Sequence, residues 1–230
     1  MKTSSGQSVY PAEIDCGGPR LHGELTIPPR PSAVVVLPHH GSCERLCPNS
    51  RSVAHRLQAR GIASLVVDLL TSDEELRSSA VVDDLGRLAE RILVVLQWLG
   101  HDPVVGGLPV GLYAYGRGSC GPACLMVAAE RPGAISAIAM RCGRPDRAGR
   151  ALGQPMPPTL LIVGGDDVMI QRQNRDAFRR LRTDQKHLEL VDGASGGFTE
   201  PGKFDEATSL VADWFAHYLV PATRNAATVR

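Results

Sequence analysis

The chain has 230 residues with 25 basic and 24 acidic side chains, a balance that leaves no electrostatic footprint for nucleic acid or an anionic membrane. Its hydrophobic content of 43% and charged content of 21% are those of a globular protein, and the length suits one domain with a full core over 1–230. No apolar stretch approaches the ~20 residues of a membrane span, and the first residues, MKTSSGQS, lack the apolar run of a secretion signal. A cytoplasmic location is the resulting expectation, with the six cysteines read as thiols rather than disulfides.

Residues 1–8 read as a polar tail. Val9–Asp15 and Arg20–Ile27 are strand-like runs joined by Gly17-Gly18-Pro19, which predicts an antiparallel hairpin. Ala33–Leu37 is a continuous aliphatic run, the pattern of a strand covered on both faces, and His39-His40-Gly41-Ser42 follows its end. Asn49 or Ser50 is placed to cap a helix running to about Ala59, with Gly61 as its stop. Ile62–Leu70 predicts a second buried strand. Ser79–Leu99 predicts a long amphipathic helix with Leu85, Leu88, Ile92, Val95 and Leu99 on one stripe. Val110–Tyr115 predicts a strand, followed by a glycine-rich turn and a small-residue helix that Arg131-Pro132-Gly133 stops. Strands are then expected at Ala134–Met140, Thr159–Val163 and His187–Val191, and helices at Gln171–Leu181 and Lys203–Leu219, with 221–230 as a second tail. Alternating strands and helices predict a mostly parallel sheet with helices on both faces, in a single α/β domain.

The informative stretch is Leu108–Leu125, LPVGLYAYGRGSCGPACL. Strand, sharp turn and helix form the context in which Gly-x-Ser-x-Gly lifts a serine nucleophile off the end of a sheet. Counted from the strand, the nucleophile position falls on Gly116. Counted back from the helix, it falls on Gly118. Either residue lacks a side chain to attack with.

Together with Val34–Ser42, Gly61–Thr71, Arg141–Asp146, Pro158–Asp167 and Asp192–Trp214, this stretch resembles the dienelactone hydrolase-like branch of the α/β-hydrolases, from about Leu21 to Leu219. The resemblance implies that fold and a triad in the chain order Ser, Asp, His. Asp167 stands at the implied acid position. The implied histidine segment reads Gly193-Ala194-Ser195-Gly196-Gly197-Phe198, so Gly196 stands where the histidine is expected. Only His187 and His217 follow Asp167, one at a strand start and one near the end of a helix, and neither is placed to serve the elbow.

The remaining candidates each have a plain structural alternative. His39, His40 and Gly41 lie where the resemblance implies an oxyanion-hole amide; backbone donors survive the loss of side-chain catalysis, so these residues, with Arg117, are a candidate ligand-binding set. Ser119 is either a displaced nucleophile or the N-cap of the helix after the elbow. Cys120 is either a thiol nucleophile aided by that helix N-terminus and Arg117, or a small buried side chain. Asp166 and Asp167 are either residual acids or turn residues. Arg141 and Arg144 either hold an anionic ligand or form surface salt bridges. Cys43, Cys47, Cys120, Cys124 and Cys142, with His39 or His40, suggest a zinc site only weakly, and no metal or cofactor is expected.

Three functions compete on this evidence. The first is a non-hydrolytic pocket protein that binds a small molecule or carries repurposed chemistry such as cyclisation or proton transfer. The second is an active hydrolase with a displaced nucleophile, Ser119 or Cys120. The third is a structural or interaction protein, in the form of a homodimer. The first is preferred, because the site argues against the scaffold's usual activity.

Overall fold

The computed structural model describes residues 8–40, 47–77 and 83–220. Eight strands form one sheet: β1 (Ser8–Asp15), β2 (Arg20–Ile27), β3 (Ala33–His39), β4 (Ile62–Asp68), β5 (Val110–Tyr115), β6 (Ala137–Arg141), β7 (Thr159–Gly164) and β8 (Lys186–Val191). Their spatial order is β1-β2-β4-β3-β5-β6-β7-β8. The β1–β2 hairpin is antiparallel and joins β4 in antiparallel pairing, whereas β4 through β8 are all parallel. This is the expected α/β-hydrolase architecture.

Among the described residues the helices are α1 (Pro48–Gln58), α2 (Ser72–Arg77), α3 (Leu85–Gly100), α4 (Cys120–Glu130), α5 (Val168–Arg180) and α6 (Lys203–Leu219). Alternation along the central strands explains both layers. In β3, Val34 and Val36 pack into the cluster that contains Leu88 and Ile92 of α3, Ala123 and Cys124 of α4 and Ala177 of α5. Val35 and Leu37, one residue out of step, pack against Leu57 of α1 and Val211 and Phe215 of α6.

Several boundaries differ from expectation, each for a local reason. α1 starts at Pro48 with Cys47 as N-cap, because proline suits the first helical position; Ser50 lies inside the helix and turns its hydroxyl to His39. The long helix begins at Leu85 rather than Ser79, since Asp84 caps it by accepting from the Arg87 amide at 3.1 Å. The helix α2 was not anticipated. Its signal was a capping box, in which the Thr71 amide donates to Glu74 Oε2 and the Glu74 amide to Thr71 Oγ1. A 3-10 segment over Pro145–Gly153 was likewise unforeseen. Of the expected tails, only Ser8 lies within the described residues, and it opens β1. No helix among them is long and apolar enough to cross a membrane.

Candidate functional site

The parallel register brings several polar residues to one end of the sheet. His39 pairs with Asp68 across β3–β4, and Tyr115 pairs with Arg141 across β5–β6. β7 ends nearby in Gly164-Gly165-Asp166-Asp167. A Cβ at Gly164 would run into the carbonyl oxygens of Ala194 and Ser195, so glycine is what lets the loop after β8 close onto the Asp167 turn.

The turn after β5 separates the two possible elbow registers. Gly116 has φ +80°, and a side chain there would meet nothing within 4 Å. Its amide donates to the Arg141 carbonyl at 2.9 Å, which extends the strand pairing by one residue. Gly118 lies directly before Ser119, the residue at the N-cap of α4. A Cβ at Gly118 would overlap the His40 ring. The Ser119 amide donates to His40 Nε2 at 2.7 Å. His40 therefore carries its proton on Nδ1 and offers a lone pair to the amide after the helix-side elbow position. In the strand–elbow–helix arrangement, that amide is the one that stabilises an oxyanion.

A second space beside the elbow is filled in a similar way. A Cβ at Gly196 would fall against Asp167 Oδ2, with Arg117 Nη2 3.2 Å away. Arg117 Nη2 donates to Asp167 Oδ2 at 2.6 Å. The Asp167 carboxylate is 8% exposed, while the Arg117 side chain is 63% exposed, so the cation of the pair faces water. The other oxygen, Asp167 Oδ1, accepts from the Ile170 amide and caps α5. Asp167 thus combines two jobs, helix cap and partner of Arg117.

Ser119 and Cys120, the proposed displaced nucleophiles, are both buried. Ser119 occupies the N-cap position, yet its hydroxyl makes no capping bond. It donates instead to Asp83 Oδ1 at 2.7 Å and accepts from Arg147 Nη1 at 3.0 Å. Arg147 also bridges to Asp83 at 3.1 Å. The Ser119 hydroxyl, followed by Arg147, holds the Asp83 carboxyl below the usual range. Cys120 packs in the same apolar cluster as Cys124. Burial pushes the Cys124 thiol up to about 12.

His39 is buried between Ser50, whose Oγ lies 3.2 Å from Nε2, and the Tyr115 ring, whose centroid is 5.3 Å away. Gly41 and Cys43 lie outside the described residues. Among the described residues, no three His, Cys, Asp or Glu side chains gather as a metal site. His187 pairs with Glu189 on the edge strand, and His217 stacks on Tyr218 near the end of α6. Arg144 forms a two-pronged pair with Asp146 at 2.9 and 2.8 Å. Arg141 is not on the surface, and no carboxylate of the described residues pairs with it: it is 5% exposed beneath aromatic rings.

Sequence reasoning placed Gly118, Gly196, Arg117 and Asp167 near one another but did not foresee that His40 stands against Gly118 or that Arg117 pairs with Asp167 against Gly196. It also missed Asp83 and Arg147 as partners of Ser119. These pairs are separated by 79, 50, 36 and 28 residues, and no local pattern signals them.

No family model matches the chain. The chain is similar to the crystal structure of a dienelactone hydrolase from Anabaena variabilis, with 40% identity, a TM-score of 0.86, and 93% of this chain and 99% of that one covered. A dienelactone hydrolase-like promiscuous phosphotriesterase from metagenomic libraries matches the fold at 22% identity and a TM-score of 0.72, over 92% and 98% of the two chains. Two Mycobacterium tuberculosis proteins, each named "Putative phosphoribosyl transferase", are 37% identical over 207 residues. That match takes in 90% of this chain but spans only 46% of those proteins.

Proposed function

Since the chain belongs to the dienelactone hydrolase family, within the α/β-hydrolase fold, we propose that it is a non-hydrolytic member whose cleft binds a small molecule. One observation carries this reading. The helix-side nucleophile position and the histidine position are both glycine, and other side chains stand against each: the His40 ring at Gly118, and the Asp167 carboxylate with its Arg117 partner at Gly196. A serine without a base is a poor nucleophile near neutral pH, and here both groups are missing together. His40 further occupies the amide that an oxyanion would need, so a ligand oxygen has to displace the imidazole to reach it. The scaffold and the acid remain, which suits binding and enclosure rather than acyl transfer.

The test is adduct mapping by intact mass with a fluorophosphonate and, separately, iodoacetamide, alongside p-nitrophenyl acetate turnover. We expect no stoichiometric adduct at Ser119 or Cys120 and an ester rate that is the same in Ser119→Ala. Rapid modification of either residue, with turnover lost in its alanine variant, would overturn the reading.

One contact favours a second reading, an active hydrolase with Ser119 as displaced nucleophile. The Ser119 hydroxyl donates to the Asp83 carboxylate at 2.7 Å, a geometry from which a base accepts a proton. Burial of Ser119 and the Arg147 donor on the same oxygen weigh against it. The name of the mycobacterial relatives leads to no assignment of phosphoribosyl transfer here, because this chain spans less than half of them and its site is built on the hydrolase elbow.

A further inference from the structure

Arg141 closes β6 beside the elbow, and its surroundings set it apart from other buried cations in the molecule. Its guanidinium carbon lies 5.3 Å from the centroid of the Tyr115 ring, 5.2 Å from Phe198 and 4.8 Å from Phe204. No carboxylate of the described residues pairs with it, and its Nε and Nη1 complete no hydrogen bond. The Tyr113 hydroxyl is also buried; it sits beside the Arg141 guanidinium, feels its charge, and completes no well-formed hydrogen bond.

Buried polar groups are almost always satisfied, so such a cluster calls for an explanation. Aromatic faces compensate a buried cation in part, but they do not accept hydrogen bonds from N–H groups lying at the rim of the guanidinium. The open atoms are of one kind: two guanidinium N–H donors and a phenol hydroxyl that can donate. A cluster with donors, one positive charge and no anion has the chemistry of an anion site. Among the described residues it holds one unneutralised cation. A monoanion therefore balances it, whereas a dianionic phosphate would leave a second charge buried and uncompensated.

We infer that Arg141 and Tyr113 hold a small monoanion, a halide or a carboxylate, at the sheet end beneath Phe198 and Phe204. This site is separate from the Arg117–Asp167 pair, and it stands whether or not the elbow is catalytic. Phe198, which covers it, adopts φ +55°, a left-handed conformation unusual for a bulky residue, directly after Gly196-Gly197.

The experiment is thermal unfolding of the full chain in sodium chloride, bromide, acetate and benzoate, each against sodium gluconate at equal ionic strength. Gluconate, a strongly hydrated polyhydroxy anion, serves as the reference. A small anion is expected to raise the midpoint by a few degrees, as a ligand that binds only the native state does. Arg141→Met should abolish the rise, and Arg117→Ala should keep it. Tyr113→Phe, which removes one hydroxyl and keeps the ring, should reduce it and serves as the informative variant should Arg141→Met fail to fold. A response to halide and acetate alike supports a resident ion. A response to acetate and benzoate without halide supports the acid group of a ligand. A bromide anomalous peak within hydrogen-bond distance of Arg141, in crystals grown with bromide, would support the first of these. Midpoints that coincide in all five salts, or a rise that survives both Arg141→Met and Tyr113→Phe, would overturn the inference.

Discussion

Two regions of the molecule each bury an arginine, and they do so in opposite ways. Near the β1–β2 hairpin, Arg91 of α3 donates to the Leu69 carbonyl at 2.5 Å and to both Glu74 oxygens at 2.8 and 2.6 Å. At the elbow, Arg141 is equally buried and has rings around it in place of oxygens. A closed network of that first kind ties elements together: α2, α3 and the end of β4 meet on one guanidinium. An open cluster of the second kind costs folding free energy until something binds. Close packing marks the rest of the site as well, where His40 stands against Gly118 and the Asp167–Arg117 pair against Gly196.

The largest expected effect lies in the closed network. Glu74→Gln leaves the Arg91 charge without its partner, and a loss of about 3–5 kcal/mol in urea unfolding is expected. The same variant bears on pH. Hydrogen bonding to Arg91 lowers the Glu74 carboxyl from an ordinary 4.5 to about 2. Because the folded value is depressed, the stabilisation is present above about 4.5 and is lost as pH falls toward 2. The drop corresponds to roughly 3 kcal/mol at most. Unfolding midpoints between pH 6 and pH 2 should fall steeply in the wild type and less steeply in Glu74→Gln. Parallel profiles for the two proteins would show that Glu74 does not govern acid stability.

The next effect tests the refilled elbow. Gly118→Ala puts a methyl group into the His40 ring, so ring and loop must shift, and a destabilisation of about 1–3 kcal/mol is expected. Combining it with His40→Gly should recover much of that cost, and a double-mutant cycle measures the coupling. Simple additivity would mean that the two positions do not touch. Asp167→Ala should cost less, about 1 kcal/mol, most of it from the lost α5 cap. The ion pair itself adds little because Arg117 is largely exposed to solvent. Retained stability in Arg117→Ala beside a loss in Asp167→Ala would separate the two roles.

The smallest change sharpens the comparison most. Arg141→Met, which replaces an unpaired cation by an apolar side chain of similar length, should leave stability in gluconate within about 1 kcal/mol of the wild type or raise it. A loss as large as that from Glu74→Gln would mean that the rings alone make Arg141 a structural element equal to Arg91.

Much of the framework was legible because it is written locally. Ala33–Leu37 and, after Thr159, Leu160–Val163 are aliphatic at every position, as strands covered on both faces must be, and both strands form where expected. Helix starts were less legible. Asn49 and Ser50 looked like caps, but Pro48 and the pull of His39 on Ser50 placed the start earlier. At the site, the glycines at 116, 118 and 196 could be read as missing side chains, while their consequences could not. Arg141 showed the limit most clearly, since one arginine after a strand reads the same whether it reaches water or lies beneath three rings.

By itself the sequence determined the order of strands and helices, the α/β class, the family resemblance, and the absence of side chains at three points around the elbow. Those features depend on residue type, on spacing within a few positions, and on the backbone conformations that they favour. Only the tertiary structure decided what stands in the vacated space, how Asp167 is shared between a helix cap and Arg117, and which buried arginine is paired. Each of these rests on contacts between side chains far apart in the chain, such as His40 with Ser119 and Arg117 with Asp167, and only the register of the sheet brings them together.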